Sequence, residues 1–383
     1  MQARIKSVPH GWQFTYVGKA FCIRNNLRKP ISEEERSMSP GNYPYYGPTK
    51  IQGYIGTFEQ DGSYALIGED GDHFLKFEKH SMTQLVDGKC TVNNHAHIIE
   101  GTKEASREWF YYYFMHRDIF SFLSRQGAGR YKLNKASLEK MPLLLPPIVE
   151  QKKIAQILST WDKAISVTEK LLTNSQQQKK ALMQQLLTGK KRLLDENGVR
   201  FSGEWRNSTL SMFCNIAKGK ALSASDLEVG DFPVIAGGKS SPYSHSDYTH
   251  ENVVTVSASG AYAGYISYHN YKIWASDCSV VSAKADNLID YFYQLLLSLQ
   301  DKIYSLQSGG AQPHIYPKDL NSIPLWVPCV KEQQKIAAVL SAADAEISTL
   351  EKKLACLRDE KKALMQQLLT GKRRVKVDEA VAE

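Results

Sequence analysis

The chain contains no hydrophobic run near the roughly 18 residues that a membrane-spanning helix needs. Its longest, MPLLLPPIV from Met141, has nine. The start, MQARIKSVPHGW, has no apolar signal core, so a cytoplasmic location is expected and no membrane partner. The six cysteines (22, 90, 214, 278, 329 and 356) are scattered without a CxxC pair. That spacing indicates neither a disulfide framework nor a zinc site.

Sequence signatures of catalysis are missing too. No GxSxG nucleophile elbow and no Gly-rich dinucleotide fingerprint occurs. PVIAGGKSS resembles a phosphate loop, but Pro233 stands where the first glycine must allow a tight turn. In NYPYY, Tyr43 replaces the first proline of the NPPY motif of amino-methyltransferases, and no FxGxG cofactor loop accompanies it. His95-Ala-His97 would place two imidazoles on one strand face, yet no third ligand lies nearby in sequence, and ordinary packing is the better reading. No cofactor and no catalytic residue is expected.

What the sequence does hold is a repeat. KKALMQQLLTGK occurs at Lys179–Lys190 and, identically, at Lys361–Lys372, 182 residues later. The offset persists upstream: 25 of the 41 positions in 150–190 are identical to 332–372. MPLLLPPIVEQ pairs with IPLWVPCVKEQ, and GAGRYKL with GGAQPHI. The chain is a tandem duplication in which the ends of each half stayed alike while the bodies diverged.

The retained part reads as a long helix. No Pro or Gly interrupts Glu150–Thr188 or Glu332–Thr370, and Gly189 and Gly371 sit at the C-cap, each followed by a basic cluster. Ile154, Leu158, Trp161, Ile165, Thr168, Leu172, Ser175, Lys179, Leu182 and Leu186 advance in steps of four and three, and their counterparts from Ile336 to Leu368 do likewise. This is a heptad seam, on a rod of roughly 55–60 Å at 1.5 Å per residue. Helix one leads into the second body and helix two leaves it, so pairing within the chain must be antiparallel, with one body at each end. The rival arrangement is a parallel homodimeric coiled coil. Lys179 and Lys361 leave the pairing unsettled where they fall on the seam.

The bodies, 1–145 and 193–327, read as α+β. YALIGEDG, CTVNNHAHII, NVVTVSASG, GYISYH and CSVVSA are short β-rich segments. EWFYYYFMHRDIFSFLSRQ and LIDYFYQLLLSLQDKIYSL read as helical stretches. The net charge of +8 is unevenly placed: 150–192 carries +6 and 332–374 carries +3, leaving −1 elsewhere. Any polyanion bound by the bodies must therefore meet local patches.

The P-x-x-x-P-x-x-x-EQ-x-KI entry and KKALMQQLLTGK-[KR]-R exit of the helices resemble the conserved regions of the specificity subunits of type I restriction–modification systems. The resemblance spans the chain. It implies two globular target-recognition domains at opposite ends of an antiparallel two-helix coiled coil, a pseudo-two-fold tandem repeat. The boundaries would be domain one at 1–145, helix at 146–192, domain two at 193–327, helix at 328–374 and tail at 375–383. Within the bodies it rests on fragments: YPYYG, LIGEDG, SGAYAG, WASDCS and GGAQPHI. The first body departs where Val92 stands in the place of the second body's Trp274, and where Arg130 stands in place of Gln312.

The implied function is non-catalytic. Each domain reads one half of a bipartite site in double-stranded DNA, and the helices set the gap. They also dock two modification (adenine methyltransferase) subunits, with restriction (motor-nuclease) subunits joining for cleavage. Expected DNA contacts are Tyr46, Lys50, Gln52, Arg130 and Lys132 in the first body. In the second they are Lys239, Ser240, Ser241, Tyr243, Gln312 and His314. The rivals, a self-sufficient methyltransferase or nuclease and a protein-only adaptor, are separated from this reading by the missing cofactor loop and by a test of sequence-selective duplex binding.

Overall fold

The computed structural model describes residues 7–126, 130–238, 243–310 and 312–377. The chain divides into two compact units, 1–167 with 354–383, and 168–353.

In the first unit come β1 (Gln13–Tyr16), α1 (Val17–Ala20), β2 (Cys22–Ile23), α2 (Glu33–Met38), β3 (Pro40–Tyr46), β4 (Ile51–Ile55), β5 (Gln60–Gly68), β6 (Thr83–Val92) and β7 (Ala96–Glu100). They are followed by α3 (Arg107–Phe114), the hairpin β8 (Ser124–Gln126) and β9 (Arg130–Lys132), α4 (Lys135–Glu139), β10 (Pro142–Leu145) and α5 (Ile148–Leu186), whose later turns belong to the second unit. The main sheet has the order β2-β7-β5-β6-β3-β4. It is antiparallel except where β3 runs parallel to the end of β6. Strand β1 pairs with β10, Phe14 opposite Leu144, and so ties the start of the body to the entry of the long helix.

The second unit holds β11 (Arg206–Thr209), α6 (Leu210–Phe213), β12 (Cys214–Lys218), β13 (Phe232–Ile235), β14 (Ser244–His245), β15 (Val253–Ser257), β16 (Ile266–His269), β17 (Trp274–Ala275) and β18 (Cys278–Ala283). Then come α7 (Ile289–Ser298), α8 (Gln300–Tyr304), α9 (Pro317–Asn321), β19 (Pro324–Val327) and α10 (Val330–Leu368), which returns its last turns to the first unit. Here the sheet is split. β12-β18-β15-β16 forms one part and β14-β13-β17 the other. The ten-residue β6 of the first unit does the work of both β16 and β17, pairing β5 along its length and β3 at its end. The β11–β19 ribbon repeats β1–β10.

Both long helices start just after a proline that cannot continue a strand ladder, and both end on Gly189 or Gly371 at φ 70°. Gly189 N–H donates to Leu186 O and Gly371 N–H to Leu368 O, the C′-to-C2 bond of a Schellman-type cap, and Lys191 N–H and Arg373 N–H reach back to Gln185 O and Gln367 O. Within each unit the helical segments run antiparallel, as the sequence predicts. Glu150 meets Arg374 and Trp161 meets Glu360 in the first. Ser175 meets Glu346 and Arg192 meets Glu332 in the second.

The seam is filled as the heptads require. Ile154, Leu158 and Leu368 are buried in the first unit's core with Trp109, Phe110 and Leu144. Leu186, Ile336 and Leu340 are buried in the second's, with Phe292 and Leu325. Truncating a fully buried leucine such as Leu158 costs about 2–5 kcal/mol.

The two lysines that unsettle the seam in sequence find partners. Lys361 Nζ lies 2.5 Å from Asp162 Oδ1, and Asp162 Oδ2 also accepts from Tyr112. The bonds recur 182 residues on: Lys179 bonds Asp344, which also accepts from Gln294. At each helix entry a glutamine, Gln151 or Gln333, accepts from the N-cap backbone of the body's helix, Ser106 N or Leu288 N. A buried glutamate beside it, Glu150 at 3% exposure or Glu332 at 1%, takes a two-nitrogen grip from Arg374 or Arg192. The basic cluster after each cap thus spends one arginine on locking the helix exit to the helix entry.

One expectation needs correction. The stretch from Glu108 to Gln126 is not one helix. α3 stops at Phe114 because Met115 O turns away to accept Met82 N and His116 Nδ1 bonds Phe77 O. Tertiary hydrogen bonds there replace the next helical turn.

Candidate nucleic-acid interface

Each unit gathers its divergent fragments on adjoining loops at one end of its sheet. In the first, Gly68 ends β5 opposite Ala96 of β7, so the GED loop and the Asn93-Asn94-His95 turn lie side by side. Glu69 N donates to His95 O, and Asn93 N to Tyr46 O, which brings in the β3–β4 turn. Leu133 N donates to Glu69 O, Gly71 N to Tyr131 O, and Asp70 bridges Lys132, which attaches the β8–β9 hairpin. A cleft of about 460 Å³ opens beside these loops, lined by Ile31, Arg36, Tyr45, Gln52, Asn93 and His95 among others.

The second unit repeats this plan. Ser257 ends β15 opposite Cys278 of β18, so SGAYAG and WASDCS adjoin. Ala258 N donates to Asp277 O, Gly260 N to Pro313 O and Ile315 N to Ala258 O, adding the GGAQPHI turn. Ser276 N donates to Ile235 O, which adds the end of β13. Two matches between the units are positional. Ser259 bridges His314 as Asp70 bridges Lys132, and 132 and 314 are 182 apart. Ser259 Oγ donates to Asp277, where in the first unit His95 Nδ1 donates to Asp70 Oδ2 at 2.9 Å. The same tie between loops is kept while donor and acceptor exchange sides.

Glu69 organises the charge of the first unit. It is 14% exposed, bonded by Arg28 and 3.2 Å from Lys132. Burial alone would raise its carboxyl, but the Arg28 and Lys132 bonds outweigh it and hold the group below the usual carboxylate range. Burial keeps His97 below the ordinary histidine value. As a neutral ring its Nε2 donates to Leu133 O while Nδ1 accepts from Asn25, so a single tautomer satisfies both contacts.

The histidine pair is therefore not one face: His95 is exposed in the turn and His97 is packed inside. Among the described residues no group of three His, Cys, Asp or Glu could hold a metal ion. The phosphate-loop lookalike begins within β13, at Pro233.

The expected contact residues fall as follows. Lys50 is exposed in the β3–β4 turn, whose Gly47 N donates to Lys50 O. Gln52 is exposed on β4 and faces the cleft. Arg130 is exposed at the hairpin and Gln312 at the equivalent turn. Lys132 is half-buried and committed to Glu69. Tyr46 packs on the cluster of Leu66, Val86 and Val92, and burial raises its hydroxyl. His314 is fixed by paired backbone bonds to Ser308 and stacks on Tyr316. Tyr243 is exposed just before β14. Lys239, Ser240 and Ser241 lie outside the described residues.

The structure brings Tyr46, Lys50 and Gln52 together, and Arg130 with Lys132, on loops tied to one another. Sequence reasoning weighed His95 only as a metal ligand and did not single out Asp70, Ser259 or Asp277. Their signal was present in LIGEDG, SGAYAG and WASDCS, the fragments that now prove to be the joined loops.

The family model for the type I restriction modification DNA specificity domain matches residues 9–174 and again 202–357. A putative type I restriction enzyme specificity subunit of Haemophilus influenzae is 27% identical over 83% of this chain and 84% of its own length. The putative MjaX specificity subunit of Methanocaldococcus jannaschii is 24% identical over 98% and 96%. The solved S subunit of a type I restriction–modification system from M. genitalium shares the fold at TM-score 0.73 and 18% identity, covering 96% of this chain and 98% of that one. Two tandem matches that together take in most of the sequence, each lying on one repeat of the duplicated architecture, place the chain in the type I restriction–modification DNA specificity family, as a specificity (S) subunit.

Proposed function

We propose that each unit reads one half of a bipartite site in double-stranded DNA, and that helices α5 and α10, which supply turns to both units, set the gap. The observation that carries this is the repeated loop scaffold with exchanged side chains. Arg130 stands where Gln312 does, Lys132 where His314 does, and the Asp70–His95 tie where Ser259–Asp277 does. Backbone bonds that stay the same hold a fixed platform, while the side chains that change are those able to meet base edges and phosphates.

As a specificity subunit the chain supplies recognition within a type I restriction–modification complex. On this reading it acts in the cytoplasm with two modification (adenine methyltransferase) subunits, which bring S-adenosylmethionine, and with restriction (motor-nuclease) subunits. The duplicated KKALMQQLLTGK ends offer two equivalent docking places.

Lys50, Arg130 and the 239–243 segment are the proposed backbone and base contacts, Gln312 and His314 the second unit's readers, and Tyr46 a packing support at the base of the first unit's loops. The test is to exchange residues 1–145 for the equivalent body of a relative and to sequence the bound or methylated sites. One half-site should change and the other should stay. If both halves change, or neither does, the assignment of one unit to one half-site is wrong.

A further inference from the structure

The cleft of the first unit carries a side-chain arrangement that goes beyond the loop platform. Gln52 lies on β4, with its amide folded over Gly47. Its Oε1 accepts from Asn93 Nδ2 at 3.0 Å, and Asn93 Oδ1 in turn accepts from the backbone of His95 at 2.8 Å. His95 is held by Asp70. The relay fixes which end of each amide points where. One lone pair of Gln52 Oε1 is used, while its second lone pair and both Nε2 hydrogens have no protein partner among the described residues. Gln52 is exposed, so these groups face the open cleft.

An amide that offers an acceptor and a donor side by side matches one base edge in the major groove: adenine, with N6–H₂ as donor and N7 as acceptor. Guanine presents two acceptors there, which would leave Oε1 facing O6 or N7 with no hydrogen between them. Resting on the reading that this unit binds duplex DNA, we infer that Gln52 determines specificity for an adenine in the first unit's half-site. Asn93 and His95 act as positioning residues that fix the amide's orientation. Gly47 is required as well. A Cβ there would stand 2.4 Å from Gln52 Cδ, and the flexible side chain would yield, so the amide would move without disturbing the fold.

The experiment is selection from a duplex pool with a fully randomised core, using the full chain assembled with its modification subunit, followed by affinity measurements on the recovered sites. Wild type should prefer adenine at one position of one half-site, by about 5- to 150-fold over guanine, the range for one bidentate base contact. Gln52→Leu should lose that preference while every other position, including the whole second half-site, keeps its own. Gly47→Ala should weaken the same position alone, with an unchanged thermal unfolding curve.

Equal loss at all positions in Gln52→Leu would show a merely structural role and overturn the inference, as would retention of the adenine preference. If wild type itself recovers no sequence preference in either half-site, the reading of the unit as a DNA reader fails along with it. A wild-type preference that survives Gln52→Leu overturns the inference alone.

Discussion

Asp162 is a small residue on which two elements depend. Its Oδ1 takes the Lys361 ammonium, and its Oδ2 takes the Tyr112 hydroxyl at 2.7 Å, so one carboxylate joins α5, α10 and α3 within the first unit. Burial, and then the bond to Asp162, push the Tyr112 hydroxyl far up, keeping it a donor at any working pH. Asp162→Ala strands Lys361, whose side chain is 13% exposed, beside little more than Met115 Sδ and the Tyr112 ring.

Breaking a buried pair on one side costs about 3–5 kcal/mol. Asp162 itself is 36% exposed, so water screens part of the interaction, and the expected loss is about 2 kcal/mol. Lys361→Met should cost less, because Asp162 keeps Tyr112 and solvent access. The double variant Asp162→Ala/Lys361→Met removes both charges together and should recover part of the loss, since the Tyr112 hydroxyl still lacks its partner, leaving a coupling energy of about 1–2 kcal/mol in the double-mutant cycle. Urea denaturation followed by circular dichroism gives all four values. A loss below about 0.5 kcal/mol for Asp162→Ala would mean that the pair behaves as an exposed surface bridge, and the packing argument for the seam lysines would be wrong.

Gly189→Ala and Gly371→Ala should both destabilise, by about 1 kcal/mol for the left-handed cap alone. Gly371→Ala should cost distinctly more, since its Cβ would meet Pro9 Cγ at 2.4 Å whereas that of Gly189 meets the Trp205 ring at an ordinary 3.5 Å; equal shifts in thermal midpoint would contradict this. Stability should also fall on acidification from about pH 7 to 5, above the range where most carboxylates titrate. Burial holds His73 in one unit and His269 in the other down to about 4. The unfolded chain, with histidines near 6.5, therefore binds protons first, and stability present above 6.5 drains away towards 4. His269→Phe should flatten this slope in urea titrations; an unchanged slope would remove His269 as a contributor.

Periodicity and punctuation determined much of this protein from sequence alone. The heptad seam, the prolines before each helix and the glycines after it are local signals, and the helices follow them to within two residues at either end. The duplication also leaves its mark on the contacts, since a bond made in one half recurs 182 residues on. The Lys–Asp pairs and the Arg–Glu locks are the cases, because identical residues at a fixed offset meet identical neighbours.

Tertiary structure decided what local signals cannot express. Whether Lys361 weakens or secures the seam depended on Asp162, 199 positions away. The end of α3 depended on Met82, whose backbone competes for the carbonyl that would have closed the next turn. The interface depended on it most. Lys132 reads as a free cation until Glu69 is seen beside it. Gln52 reads as one polar contact among several until Asn93 and His95 fix its amide. Loop residues acquire their chemistry from hydrogen bonds to other loops, and the pairing of β5 with β7, or β15 with β18, is what brings those loops together.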